Sequence, residues 1–259
     1  MRPSIHRTAH RILGGALLAL LALLAHVGIA RAADDADAFD ILGFRLGMTQ
    51  AEVDARFRQL NPDVELKVRQ ATYRYSDGLN EHQTEAFLDR IEGIIKYDRA
   101  TKEILQVTVQ FSPPPDGGRV MQVMRNERDI VNPVTLAEYR QALIGKYGPP
   151  TRDRNASIDW FFPAGTAPCS NSASGPAADQ LNTMIQGTAA ARERMLADPS
   201  MCPSFLTFRV QGDPVRSGFA RLVDVPNALR TLQAANAWVA QQQADAEARR
   251  KAAGRGPQL

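Results

Sequence analysis

The chain has 259 residues, with 31 basic and 28 acidic side chains, four histidines and two cysteines. Arg2, Arg7, Arg11 and Arg31 fall in an N-terminal leader without acids; beyond it the balance is 27 basic to 28 acidic, so the basic pI lends no support to binding of nucleic acid or an anionic membrane. His6, His10 and His26 fall in the same leader, which leaves His82 alone and excludes a multi-histidine metal site or a histidine dyad by count.

In chain order, the basic segment 1–12 is followed by an apolar run, LGGALLALLALLAHVGI (13–29), and by ARA at 30–32. That is the order of a secretory signal peptide, with Ala30 and Ala32 at the small-residue positions. Residues 1–32 are expected to be cleaved off after Ala32, delivering the protein to the periplasm. An uncleaved anchor is the alternative, since about 17–25 apolar residues span a bilayer. No cysteine lies at the cleavage point, so a lipid anchor is not indicated.

The stretch LGMTQAEV (46–53) reads as a helix start. Thr49 is a good N-cap and Glu52 follows three residues later, the capping-box spacing, with Met48 and Val53 placed to staple it. Val53, Phe57 and Leu60 mark one face, and Asn61-Pro62 stops the helix. Alternating segments follow: Val64, Leu66 and Val68; then FLDRIEGIIKY (87–97) with Gly93 as a possible bulge; then Leu105, Val107, Val109 and Phe111; then Val120–Met124 after the turn PPPDGG. These predict an antiparallel meander with one buried face.

A second capping box, Thr135 and Glu138, opens VTLAEYRQALIGKYG (134–148), with Val134 and Tyr139 at the staple positions. Its T-x-A-E repeats the first at a separation of 86 residues, which suggests an internal duplication. IDWFF (158–162) is a predicted strand. Segment 163–203 reads as an insertion carrying a helix over 179–196 and bracketed by Cys169 and Cys202. In an exported chain those two cysteines most simply form a disulfide, with a pair of free thiols as the alternative. Strands at Phe205–Val210 and Gly218–Val223 follow, then a helix opened by Pro226 with Leu229, Leu232, Ala235 and Val239 inward. Beyond Gln241 no apolar face is legible, so 241–259 is expected to be a solvated helical or disordered tail.

The expected fold class is therefore α+β, in two similar halves, 33–131 and 132–240, each a capped helix followed by antiparallel strands, plus the inserted and C-terminal helices. LGMTQAEV resembles the Gly-Met-Thr-x-x-Glu-Val helix start of small bacterial envelope proteins, among them the lipoprotein of the outer-membrane β-barrel assembly machine and the tandem-repeat β-lactamase-inhibitor protein. KYGPP with DWFF is similar to a Tyr-Gly-x-Pro and Trp-strand pattern of exported proteobacterial proteins. The resemblance implies a mostly non-enzymatic protein that presents a sheet face or edge to other proteins. This chain has no lipobox cysteine and no Gly-Met in its second copy, so barrel assembly or enzyme inhibition does not carry over.

The sequence contains no G-x-S-x-G, Walker loop, H-E-x-x-H or C-x-x-C. Its densest polar cluster, YSDGLNEHQTE (75–85), holds Asp77, Glu81, His82 and Glu85 and reads as a polar loop between strands; its spacing is not that of a calcium loop. Asp89 and Glu92 would point to opposite faces of their strand. Trp160, Phe161 and Phe162 place apolar groups on both faces of one strand, which makes them core residues or a possible binding surface; the inserted helix or a partner would then cover Phe161. No catalytic residue, metal or cofactor is assigned. The expected function is protein binding, with another envelope protein as partner. The alternatives are a small-molecule or lipid carrier with a pocket between sheet and helices, and a hydrolase without a recognisable motif.

Overall fold

Both helix starts close as capping boxes. In the computed structural model, which describes residues 38–154, 156–162 and 204–254, Thr49 caps helix α1 (Gln50–Leu60) and Thr135 caps α2 (Leu136–Tyr147). Thr49 N–H donates to Glu52 Oε2 at 2.7 Å and Glu52 N–H donates to Thr49 Oγ1 at 3.3 Å. The second box repeats this at 2.8 and 3.2 Å. Each box satisfies two N–H groups that a helix start would otherwise leave orphaned. The same bonds hold both glutamates below the usual carboxylate range, Glu52 through the Thr49 N–H first and Glu138 through the Thr135 hydroxyl first. The two staples differ. Met48 packs on the core beside buried Val53, whereas Val134 is exposed, its carbonyl held instead by the N–H of Val215 at 2.9 Å.

Eight strands form one antiparallel sheet. They are β1 (Leu66–Ala71), β4 (Phe87–Tyr97), β5 (Ile104–Phe111), β6 (Val120–Arg128), β7 (Arg152–Arg154), β8 (Ser157–Phe162), β9 (Ser204–Gln211) and β10 (Ser217–Val223), in the spatial order β1-β4-β5-β6-β10-β9-β8-β7. The strands after α1 occupy one half and those after α2 the other, meeting where β6 pairs with β10. A separate hairpin, β2 (Arg74–Ser76) and β3 (Glu81–Gln83), rises between β1 and β4. The third described helix, α3 (Val225–Ala253), closes the chain.

One sheet face is apolar and carries α1 and α2. Val107, Val109 and Phe111 alternate inward as their sequence requires, and join Val53, Phe57, Trp160, Phe162, Leu206 and Leu222 in a single cluster. Phe39 stacks on Phe162 at 4.7 Å, which ties the segment before α1 to the far half of the sheet. At the sheet edge the inward alternation loses its cover: Val64 is buried and Leu66 half-buried, but Val68 is exposed.

Gly93 is not a bulge. It pairs regularly with Leu66 and Val107, and the register shift of β4 falls between Ile94 and Lys96. The glycine is required by closeness: a Cβ there would lie 2.6 Å from Cε1 of Phe57. Trp160, Phe161 and Phe162 are all buried core residues and present no binding surface. Phe161 does point away from Trp160 and Phe162, as alternation demands, but the described cover over it is α3, through Val225, Ala228 and Leu229. The expected insertion 163–203 with Cys169 and Cys202, the expected leader 1–32 and residues 255–259 lie outside the described residues.

The C-terminal helix refines a second expectation. It runs for 29 residues, roughly 44 Å at 1.5 Å per residue, and buries Val225, Ala228, Leu229, Ala235 and Ala246 on one stripe. Residues 241–253 are helical and mostly exposed, as the helical arm of the expectation has it, and they also dock. The dock is small enough to escape a hydrophobicity pattern: Ala246 is buried, and Arg250 Nε donates to the Asp77 carbonyl of the hairpin at 2.8 Å. Asp224 caps the helix, accepting from Asn227 N–H at 3.1 Å, and Pro226 lies in its first turn.

Candidate functional site: the basic sheet face

Directly paired residues of an antiparallel sheet share a face, so the register assigns every strand residue to one side. Leu222 lies in the core under α1 and α2; its neighbours Arg221 and Val223 point the other way. On that second face α3 covers one end of the strands, over Phe161, Phe205 and Val223. The rest of the face reads Lys67 and Arg69 on β1, Arg90, Glu92 and Ile94 on β4, Gln106, Thr108 and Gln110 on β5, and Gln122, Met124, Asn126 and Arg128 on β6. It continues with Arg221 and Phe219 on β10, Thr207, Arg209 and Gln211 on β9, Ser157 and Asp159 on β8, and Arg152 and Arg154 on β7.

Eight of these side chains are basic and two are acidic. Both acids already face an arginine of the same surface: Glu92 lies 3.2 Å from Arg90 Nε and Asp159 lies 2.7 Å from Arg152 Nε. Asp159 also accepts from Ser157 Oγ at 3.0 Å and from the Thr207 hydroxyl, so its buried charge is fully engaged within the sheet. The charge of the chain beyond residue 32 is nearly balanced, yet this face carries a large cationic excess. Such segregation raises the local potential for an anionic partner well above what net charge suggests.

The face dips where β6, β10 and β9 adjoin. A recess of about 460 Å³ is lined there by Met124, Asn126, Arg128, Arg209, Gln211, Ser217, Phe219 and Arg221. Arg221 forms its buried floor, donating from Nε and Nη2 to Gln122 Oε1 at 3.1 and 2.6 Å. Nη2 of Arg209 is buried and has no hydrogen-bond partner. The Glu127 carboxylate bordering the recess is committed to Arg125 on the α2 side of the sheet.

The polar cluster of residues 75–85 turns out to be the β2–β3 hairpin, not a loop. It brings Asp77 and His82 together, with Nε2 2.9 Å from Oδ2 and the His82 ring stacked on Tyr75 at 5.4 Å. The N–H groups of Leu79 and Asn80 donate to Asp77 Oδ1 at 2.9 and 2.7 Å. The His82 bond first, then these backbone donors, hold Asp77 far below the usual carboxylate range. A carboxylate so firmly stabilised as its anion is a weak base, and the group works as the knot of the hairpin. Glu81 and Glu85 are exposed and do not join it. Asp89 and Glu92 lie on either side of the Arg90 guanidinium, at 3.6 and 3.2 Å. Among the described residues no three or more His, Cys, Asp or Glu side chains gather as a metal site. Trp160 is closed in by Tyr147 and Phe208 at ring distances of 5.5 and 6.1 Å, and its indole N–H donates to the Gly148 carbonyl at 3.1 Å.

Sequence reasoning missed the basic face because its members are scattered from Lys67 to Arg221. Only the strand order, with β10 between β6 and β9, gathers them. Compared with known protein families, curated proteins and solved structures, the chain matches none.

Proposed function

We propose that this is an exported, non-enzymatic binding protein whose basic sheet face docks onto an acidic surface of another envelope protein. The observation that carries the reading is the charge of that face, eight basic side chains against two acids that are already paired, in a chain otherwise near balance. The leader sequence supports export. The helix starts support kinship of design with envelope proteins that present a sheet to partners. Catalysis has little to draw on: Asp77 and His82 are tied into the hairpin, and Asp159 is engaged on three sides. The packing of Trp160 against Tyr147 and Phe208 supports a core role for it over the lining of a carrier pocket.

The test is crosslinking of the tagged protein in its own cell envelope, with mass spectrometry of what co-purifies. A dominant protein partner is expected. Its capture falls with added salt and with the charge reversals Lys67→Glu, Arg69→Glu and Arg154→Glu, all exposed side chains of this face. Capture of no protein, or of one indifferent to salt and to these reversals, overturns the reading.

A further inference from the structure

Resting on that docking surface, we infer that the recess between β6, β10 and β9 is a carboxylate-binding pocket, the specificity pocket of the face. Three observations meet there. The first is donor chemistry: Arg209 lines the wall and Arg128 the rim over the buried Arg221, while Glu127, the acid among the described lining residues, is spent on the other side of the sheet. An arginine fork matches the two oxygens of a carboxylate and gives charge-assisted, directional hydrogen bonds. The second is an unmet donor. Nη2 of Arg209 is sealed from solvent without a hydrogen-bond partner, a cost a protein removes by supplying an acceptor. The third is shape. About 460 Å³ exceeds what a bare anion fills, and Phe219 and Met124 give one side of the recess an apolar surface. The group that fits is therefore a carboxylate on a short apolar stem, such as an acidic side chain or the terminal carboxylate of a chain. Arg221 is held in place by Gln122 and presets the floor. Arg209 supplies the hydrogen bond that forms on binding, and Arg128, exposed at the rim, draws the anion in.

The experiment titrates the protein freed of its leader with N-acetylglutamate, followed by amide and arginine Nε–H NMR, with chloride at matched ionic strength as control. Saturable shifts at Arg209, Gly218 and Phe219 are expected, absent with chloride. Arg209→Gln weakens binding roughly tenfold or more while the remaining spectrum is unchanged, and Arg128→Gln weakens it less. No saturable shift, or binding undiminished in both variants, overturns the inference. The source of the carboxylate is read separately from partner capture in the cell envelope. If Arg209→Gln also lowers capture, the partner supplies the group; if capture is unchanged, the pocket serves a free carboxylate. If the parent chain captures no partner, the docking reading fails, while the titration still decides the pocket.

Discussion

Gly93→Ala offers the sharpest test of how the α1 side of the sheet is packed. An added methyl at 93 would lie 2.6 and 2.9 Å from Cε1 and Cδ1 of Phe57 and 3.1 Å from Cδ2 of Leu66. Carbon atoms in contact want about 3.5–4.0 Å, so roughly an ångström must be recovered. The Phe57 ring cannot swing clear: it is fully buried and rests against Phe44 at 4.7 Å. Replacing a strand glycine by alanine would otherwise gain about 0.4–1 kcal/mol by restricting the unfolded chain. Overpacking costs about 1–3 kcal/mol, and the clash decides the sign. The variant should lose about 1–2 kcal/mol, a fall in Tm of about 2–4 °C per kcal/mol for a chain of this size, measured by urea and thermal denaturation. Phe57→Leu removes the obstructing ring edge. The double variant should therefore be more stable than the sum of the single losses predicts, with a coupling of at least about 0.5 kcal/mol. A Gly93→Ala protein as stable as the parent, or strict additivity with Phe57→Leu, would refute the steric account.

Phe161→Ala should cost about 3–5 kcal/mol, because it empties the centre of the contact between the sheet and the first turns of α3; a loss under 1 kcal/mol in denaturant titration would mean that this helix does not rest on Phe161. Asp77→Asn should change the acid limb of stability. With its folded-state pKa depressed by His82 and the backbone donors, the Asp77 carboxylate contributes stability that is fully present above the ordinary aspartate value of about 3.9 and is lost as pH falls below it. The variant should therefore be less stable than the parent near neutral pH and lose less on acidification, followed by thermal melts across that range; parallel pH profiles for the two proteins would contradict the assignment.

What was legible in the sequence was local. The two capping boxes, the alternation of Val107, Val109 and Phe111, and the stop at Asn61 are each decided within a few residues, and each forms as read. Where the reading failed, the cause lay far along the chain. Gly93 looks like a bulge until Phe57 is brought against it. Phe161 looks like an opening for a partner until α3 arrives from more than sixty positions later. Arg152 and Arg154 are the ends of a three-residue strand too short for a period to register. The basic face is the extreme case. Its strands carry ordinary polar alternation one by one, and only the seam between β6 and β10 turns scattered arginines into one surface.

The C-terminal helix begins against the strands of the second half and ends on the hairpin of the first, where Arg250 reaches Asp77 across 173 positions. That contact ties the far end of α3 to a hairpin laid down much earlier in the chain. Nothing made before Arg250 can close it, so during synthesis the hairpin stands without its clasp until the far end of α3 has been made. A chain cut before Arg250 retains the sequence of every described strand and loses the clasp. In such a chain the loosened hairpin is the expected first site of nicking in limited proteolysis.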